Sequence, residues 1–228
     1  MAAVVFDLDG TLIDSAPDIQ VAASAVLDAD GFDPLSLEET RHFIGKGAEN
    51  FVTQMCNARG VPNAMRQYAL SRFLQTYEGA VEHTVIYPGV KQALRSLKSS
   101  GHMLGICTNK PMAPCKAVLA HLEMDGFFEV IVAGDSLAKR KPDPAPLELA
   151  VSLLGQPQAY FVGDSEVDGQ TAANAGLPFF LFSEGYRKLP SHEITHRSAF
   201  SHFDALPALL TGSLRDDTST QVEQCHEV

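Results

Sequence analysis

The stretch Ala3-Val4-Val5-Phe6-Asp7-Leu8-Asp9-Gly10-Thr11 decides how this chain is read. Its first four residues are short, apolar and partly β-branched, as in a strand buried on both faces of a parallel sheet. The run stops at two acids and a glycine, which packing alone does not explain. In open α/β sheets, ligands bind just beyond the carboxyl ends of the strands. Asp7 and Asp9 are two residues apart, so an extended segment would point them the same way. Two carboxylates held close repel each other, and one pKa rises unless a cation sits between them. A hard divalent cation with oxygen ligands, most simply Mg²⁺, meets that need. The same pair suits a nucleophile next to a proton carrier.

Outward from this strand the pattern changes twice. From Ser15 to about Ile86 it is helical, with Ile19, Ala22, Ala23, Val26 and Leu27 on one face and no convincing strand. Ser15 with Asp18, and Ser36 with Glu39, have the spacing of capping boxes. Two more helices are expected over Ala48–Ala58 and 63–78. After Tyr87-Pro88-Gly89, helices alternate with the apolar runs Met103–Cys107, 129–133, 160–162 and Phe179–Phe182. That alternation argues an α/β fold with a parallel sheet and right-handed crossovers. The expected organisation is a core of residues 1–14 and 87–210, a helical insert over 15–86, and a polar, disordered tail over 211–228.

Length and composition narrow the function. The chain has 228 residues, 45% of them hydrophobic, enough to bury a core. Lys+Arg number 17 against Asp+Glu 28, a net charge of −11. That balance disfavours nucleic acid and anionic membranes as partners. No apolar run approaches the ~20 residues of a membrane span, and no secretory signal is evident. The cysteines Cys56, Cys107, Cys115 and Cys225 show no C-x-x-C spacing and read as reduced thiols of a cytoplasmic protein. A monomer is the default expectation, with a homodimer open.

Polar residues cluster at four expected strand ends: Asp7 and Asp9; Thr108 and Asn109; Lys141 in Lys141-Pro142-Asp143-Pro144; and Asp164, with Asp168 four residues on. The carboxylates suit a cation, whereas Lys141, Thr108 and main-chain N–H groups suit a phosphate. Taken together, these motifs resemble those of the haloacid dehalogenase superfamily of phosphohydrolases. Asp7-Leu8-Asp9-Gly10-Thr11 matches its first motif, D-x-D-G-T, and Thr108 its second. Lys141 matches the third, and Gly163-Asp164 through Asp168 the fourth, G-D-x-x-x-D. All four stand in the family's order across residues 7–168.

The resemblance implies a Rossmann-like sheet with an inserted helical cap, and a Mg²⁺-dependent phosphomonoester hydrolase. It implies Asp7 as the nucleophile that becomes an aspartyl-phosphate. Asp9 is implied as general acid and then base, its backbone carbonyl also on Mg²⁺. Asp7, Asp9 and Asp164 would be the metal ligands, and Thr108, Asn109 and Lys141 would hold the phosphoryl group. Asp168 would ligate through water or orient Lys141; a helix N-terminal charge is the plainer reading. The loop Arg41-His42-Phe43-Ile44-Gly45-Lys46-Gly47 resembles the cap loop of the superfamily members that hydrolyse phosphoglycolate. It makes 2-phosphoglycolate, or a similar small phosphorylated metabolite, the leading substrate.

In that reading Arg41 or Lys46 meets the substrate's carboxylate, unless both lie on a solvated surface. Lys110 either reaches the substrate or is exposed. Three other readings stay open. One is a sugar phosphomutase of the β-phosphoglucomutase kind. Another is a phosphonate hydrolase using Lys46, the one lysine between Ser15 and Ile86. The third is a non-catalytic Mg²⁺-binding phospho-acceptor module. Asp9 argues against dehalogenation, whose enzymes lack the second acid. His192 and His196 have no acid or Cys partner at ligand spacing and read as exposed.

Overall fold

The structure, a computed structural model, describes residues 1–213. Among them, eight strands and nine helices of seven residues or more follow one another along the chain. β1 (Ala3–Phe6) and β2 (Ile13–Asp14) come first, then α1 (Ala16–Asp28), α2 (Leu37–Phe43), α3 (Ala48–Ala58) and α4 (Arg66–Tyr77). β3 (Val85–Ile86), α5 (Val90–Ser99), β4 (Met103–Cys107), α6 (Met112–His121) and β5 (Val130–Val132) follow. α7 (Ala145–Leu154), β6 (Ala159–Gly163), α8 (Glu166–Asn174), β7 (Phe179–Phe182) and β8 (Ser198–Phe200) complete the α/β part. A last helix covers 206–213.

Six strands form one parallel sheet in the order β5-β4-β1-β6-β7-β8. The chain winds outward from β1 to β5, then returns to the other side of β1 and winds outward to β8. β1 is therefore central, and the crevice at its carboxyl end is where such sheets bind ligands. Side chains along β1 alternate between two apolar layers. Val4 and Phe6 pack with α5 and α6 residues such as Leu94 and Leu119. Ala3 and Val5 pack against α7 residues such as Leu147 and Leu154. Each fully buried Val, Leu or Phe contributes about 1.5–3 kcal/mol, so both layers resist displacement of β1.

α1–α4 gather round a core of their own, with Ile19, Val26, Val52, Phe51, Phe73 and Tyr77 buried. Phe51 stacks on Phe73 (5.2 Å) and Phe73 on Tyr77 (5.1 Å). The two chain segments that join this block to the sheet run side by side: β2 pairs antiparallel with β3. Asp18 clamps the junction, accepting from the His83 N–H (3.0 Å) and the Thr84 hydroxyl (2.5 Å). No helix among the described residues is long and apolar enough to cross a membrane.

Several local expectations are corrected. The Ser36–Glu39 capping box forms, but the Ser15–Asp18 one does not: Asp18 serves the junction, and the Ser15 hydroxyl donates to Asp9 (2.6 Å). β3 falls within the stretch read as free of strands, because a two-residue pairing is too short to show a period. β8 and the helix over 206–213 were not anticipated. Leu206 and Leu210 are buried there, so Thr211–Ser213 continue a packed helix. The rest of the expected tail, and Cys225, lie outside the described residues. Cys56, Cys107 and Cys115 are buried free thiols.

Candidate active site

Every residue singled out at a strand end comes to the carboxyl edge of the sheet. Asp7 directly follows β1, and its N–H donates to the Val162 carbonyl of β6 (2.9 Å). Thr108 and Asn109 follow β4, and Asp164 follows β6. Asp7, Asp9, Thr108, Asn109 and Lys110 line one cavity together with residues of the helical block. Asp7, Asp9, Asp164 and Ser165 line its neighbour.

One part of the site is a buried acidic cluster with a lysine in it. Carboxylate oxygens of Asp7, Asp164 and Asp168 all lie within 4.8 Å of one another. Lys141, 4% exposed, places Nζ 2.8 Å from Asp7 Oδ1 and 2.7 Å from Asp168 Oδ1. The contact to Asp168 is a hydrogen bond. The contact to Asp7 is an ion pair by distance without the angles of a directed bond, so Asp7 Oδ1 keeps no hydrogen bond among the described residues. Asp168 Oδ2 accepts from the Ser165 hydroxyl (2.7 Å) and N–H (3.2 Å), capping α8. Of the readings open to it from the sequence, Asp168 has the contacts of two: it bonds Lys141 and caps a helix.

Asp164 accepts from the Thr11 hydroxyl (2.8 Å) and the Tyr186 N–H (2.6 Å). Burial, with Asp168 and Asp7 nearby, pushes its pKa well above the ordinary carboxylate range. Burial likewise raises Asp7 to about 6, against the pull of Lys141. Gly10 lets the chain turn under this cluster. It has φ +88°, and a Cβ there would lie 2.6 Å from Asp164 Oδ2. Gly10→Ala therefore meets both a disfavoured backbone and a collision. We expect a loss of more than about 2 kcal/mol in urea denaturation, whereas a change under 0.5 kcal/mol would show that the turn relaxes freely.

The second part centres on Asp9. Asp7 and Asp9 line the same cavity, but the chain leaves the strand after Phe6 and the two carboxylates bind different partners. Asp9 Oδ1 accepts from Ser15 Oγ (2.6 Å) and from Lys110 Nζ (3.1 Å). Lys110 is 5% exposed, which removes the exposed reading of it. Its ammonium also donates to the Tyr77 hydroxyl and lies 4.3 Å from that ring's centroid. Burial works against its charge, but Asp9 and Tyr77 outweigh that and hold its pKa above the usual lysine value. Burial, reinforced by Asp9, raises the Tyr77 phenol above its usual value too.

Asn109 acts as a brace. Its amide donates to the Gly45 carbonyl (2.9 Å) and the Lys141 carbonyl (3.0 Å), and its Oδ1 accepts from the Lys141 N–H (3.0 Å). That side chain is spent on loop geometry. Arg41 and Lys46, the cap cations read either as substrate contacts or as solvated surface, line neither cavity. Arg41 pairs with Asp14 at 2.8 Å, and Lys46 is exposed. Ser15, Tyr77 and Tyr186 are the site residues that sequence reasoning missed. Ser15 reads as a helix cap, and Tyr77 sits four residues after Phe73 as in any apolar helix face.

The haloacid dehalogenase-like hydrolase family matches residues 4–182 of the chain. The chain belongs to that family. It is 46% identical over 213 residues to a phosphoglycolate phosphatase of Cereibacter sphaeroides, covering 92% of this chain and 98% of that one. It is 42% identical over 212 residues to a phosphoglycolate phosphatase of Rhodobacter capsulatus, covering 92% and 97%. A crystal structure of a predicted phosphoglycolate phosphatase from Haemophilus somnus superposes with a TM-score of 0.86 at 28% identity, covering 92% and 98%. The family resemblance drawn from four short motifs thus extends over nearly the whole chain.

Proposed function

We propose that this hydrolase is a Mg²⁺-dependent phosphatase of 2-phosphoglycolate, working through an aspartyl-phosphate. The observation that carries the reading is the pairing of two acids two residues apart with two buried lysines: Lys141 against Asp7, and Lys110 against Asp9. The similarity to phosphoglycolate phosphatases along 92% of the chain supports the substrate.

The donor set fits a hard cation. Four carboxylates face two ammonium groups, Asp7 Oδ1 lacks a hydrogen bond, and Asp7 and Asp164 are both raised by burial and crowding. Asp7, Asp164 and the main-chain carbonyl of Asp9 would hold it, with Asp168 engaged behind them. When bound, Mg²⁺ supplies charge neutralisation for the phosphoryl oxygens and the acids around them.

The chain's own residues do the rest. Asp7 attacks phosphorus as the bond to the bridging oxygen breaks, and Asp9 gives that oxygen its proton. Water then attacks the aspartyl-phosphate, with its proton going to Asp9 and the Asp7 carboxylate leaving. The short contacts of Asp9 fall on Oδ1, and Oδ2 meets Lys110 Nζ only at 3.5 Å, so Oδ2 is the oxygen that carries the proton. Lys141, the Thr108 hydroxyl and main-chain N–H groups hold the phosphoryl group in line. α1–α4 act as a cap domain that keeps bulk water out.

The test is phosphate release from 2-phosphoglycolate, sugar phosphates, nucleotides and pyrophosphate, each with Mg²⁺ and with EDTA. Preference for 2-phosphoglycolate, lost in EDTA, is the expected result. Sugar-directed or broad turnover discards the substrate.

Cation binding has a separate readout. A raised carboxylate pKa means the folded state takes up protons that the unfolded chain does not. Without Mg²⁺, that contribution to stability falls as pH rises from the ordinary carboxylate value through about 6, and the penalty is complete above. Mg²⁺ at ~100 times its Kd should add about 2.7 kcal/mol, several degrees in Tm, at pH 7.5. Protons compete below about 6, so the gain should shrink at pH 5. An equal Mg²⁺ effect at both pH values would remove these acids as its ligands.

A further inference from the structure

We propose that Lys110 and Tyr77 read the substrate's carboxylate, and that they select acids whose phosphate sits on the carbon next to it. The proposal rests on the phosphoglycolate reading and names the residues behind its selectivity. Three observations carry it. First, among the described residues, Lys110 is the one cationic side chain lining the cavity that runs from Asp7 and Asp9 under the helical block. The rest of that wall beyond the acids is largely apolar, with Ile19, Ile44, Phe51 and Phe73. A buried cation against apolar walls is a strong point of attraction for an anionic group.

Second, the donors are not all firmly held. An ammonium has three N–H donors, and Lys110 Nζ gives them to Asp9 Oδ1 (3.1 Å), to the Tyr77 hydroxyl and, at the long distance of 3.5 Å, to Asp9 Oδ2; the last is the one a substrate carboxylate can take over. The Tyr77 hydroxyl accepts from Lys110, so its own proton is unspent. Both groups line the cavity, and the first turn of α3, at Gly47 and Ala48, borders it as well. The unpaired N–H groups of that turn favour negative charge there.

Third, the spacing is right for one class of substrate. Asp9 must come within about 3 Å of the bridging oxygen to pass its proton. In 2-phosphoglycolate the carboxylate oxygens stand only ~3 Å from that same oxygen. Lys110 Nζ is 3.1 Å from Asp9 Oδ1, so one ammonium can hold both the acid/base and the substrate's carboxylate. A further methylene between phosphate and carboxylate moves the charge about 1.3 Å away, into the apolar part of the cavity. Because Lys110 comes from the sheet and Tyr77 from α4, this receptor is complete only with the helical block seated.

The experiment compares kcat/KM for 2-phosphoglycolate, its neutral amide phosphoglycolamide, and 3-phosphopropionate. Each is measured in the unaltered protein, Lys110→Gln, Lys110→Arg and Tyr77→Phe. We expect the unaltered protein to prefer 2-phosphoglycolate over the amide by about 100-fold and over 3-phosphopropionate by more than 10-fold. Lys110→Gln should bring the acid-to-amide ratio to within about 5-fold of unity, Lys110→Arg should restore part of it, and Tyr77→Phe should lower it about 10-fold. If Lys110 only positions Asp9, both substrates slow by one factor and the ratio survives, which overturns the proposal. Should Lys110→Gln fail to fold, Tyr77→Phe and the added methylene decide the matter. No preference in the unaltered protein sinks the phosphoglycolate reading itself. A preference that Lys110→Gln and Tyr77→Phe both retain sinks only this inference.

Discussion

Asp7→Asn should lower kcat on any phosphoester by at least about 10⁴-fold while leaving the fold intact. Asp7 stands at the end of the central strand, tied to its neighbour by the hydrogen bond from its N–H to Val162, and hemmed in by Lys141, Asp164 and Asp168. Asparagine matches its shape, so packing around β1 has no reason to change. What is lost is the carboxylate whose Oδ1 faces Lys141 by charge alone, with no directed hydrogen bond to hold it back from phosphorus. The binding of inorganic phosphate should be kept or tightened, because one negative charge leaves the site while Lys141 and Thr108 stay. Phosphate release, a thermal melt and a phosphate titration check the three statements. Residual activity above ~1% with a normal melt would mean that the nucleophile lies elsewhere.

The second large effect is expected at Lys141. Its ammonium is 2.8 Å from Asp7 and 2.7 Å from Asp168, and all three groups are buried. Lys141→Met leaves two carboxylates without their counter-ion. Breaking a buried pair in this way costs about 3–5 kcal/mol, on the order of 10 °C in Tm for a chain of this size. Activity should fall about 10³-fold, since the phosphoryl charge loses its fixed cation. Adding Asp168→Asn removes one uncompensated charge. The double variant should therefore regain a large part of the lost stability and none of the lost activity. If stability and activity returned together, Lys141 would be a structural lysine only. If neither changed in the single variant, these ion pairs would carry no weight.

These expectations start from residues that could be read without a structure. The apolar runs before Asp7, Thr108 and Asp164 are strands in the structure, and their polar ends meet at one edge of the sheet. That much is local: an apolar run of a few residues selects a buried strand, and sheet topology then sends successive strand ends to the same side. Ser36 and Glu39 cap α2 for the same local reason. The failures are just as local in origin. Ser15 has the chemistry of a helix cap, yet its hydroxyl is taken by Asp9. Tyr77 follows Phe73 at helical spacing and is indeed packed in the insert's core, but its hydroxyl reaches Lys110, 33 residues along the chain.

Arg41, Lys46 and Lys110 show where the division falls. All three are cations near motifs, and nothing in their neighbours along the chain ranks them. The structure ranks them by contact: Arg41 is drawn out to Asp14, Lys46 is exposed, and Lys110 is buried against Asp9, 101 residues away. The family, the parallel sheet and the acids at its strand ends are readable from residue order alone, because each follows from short-range pattern. Which cation faces the cavity is not. That choice depends on how four helices seat over the sheet edge, and hence on contacts between residues that no local pattern relates.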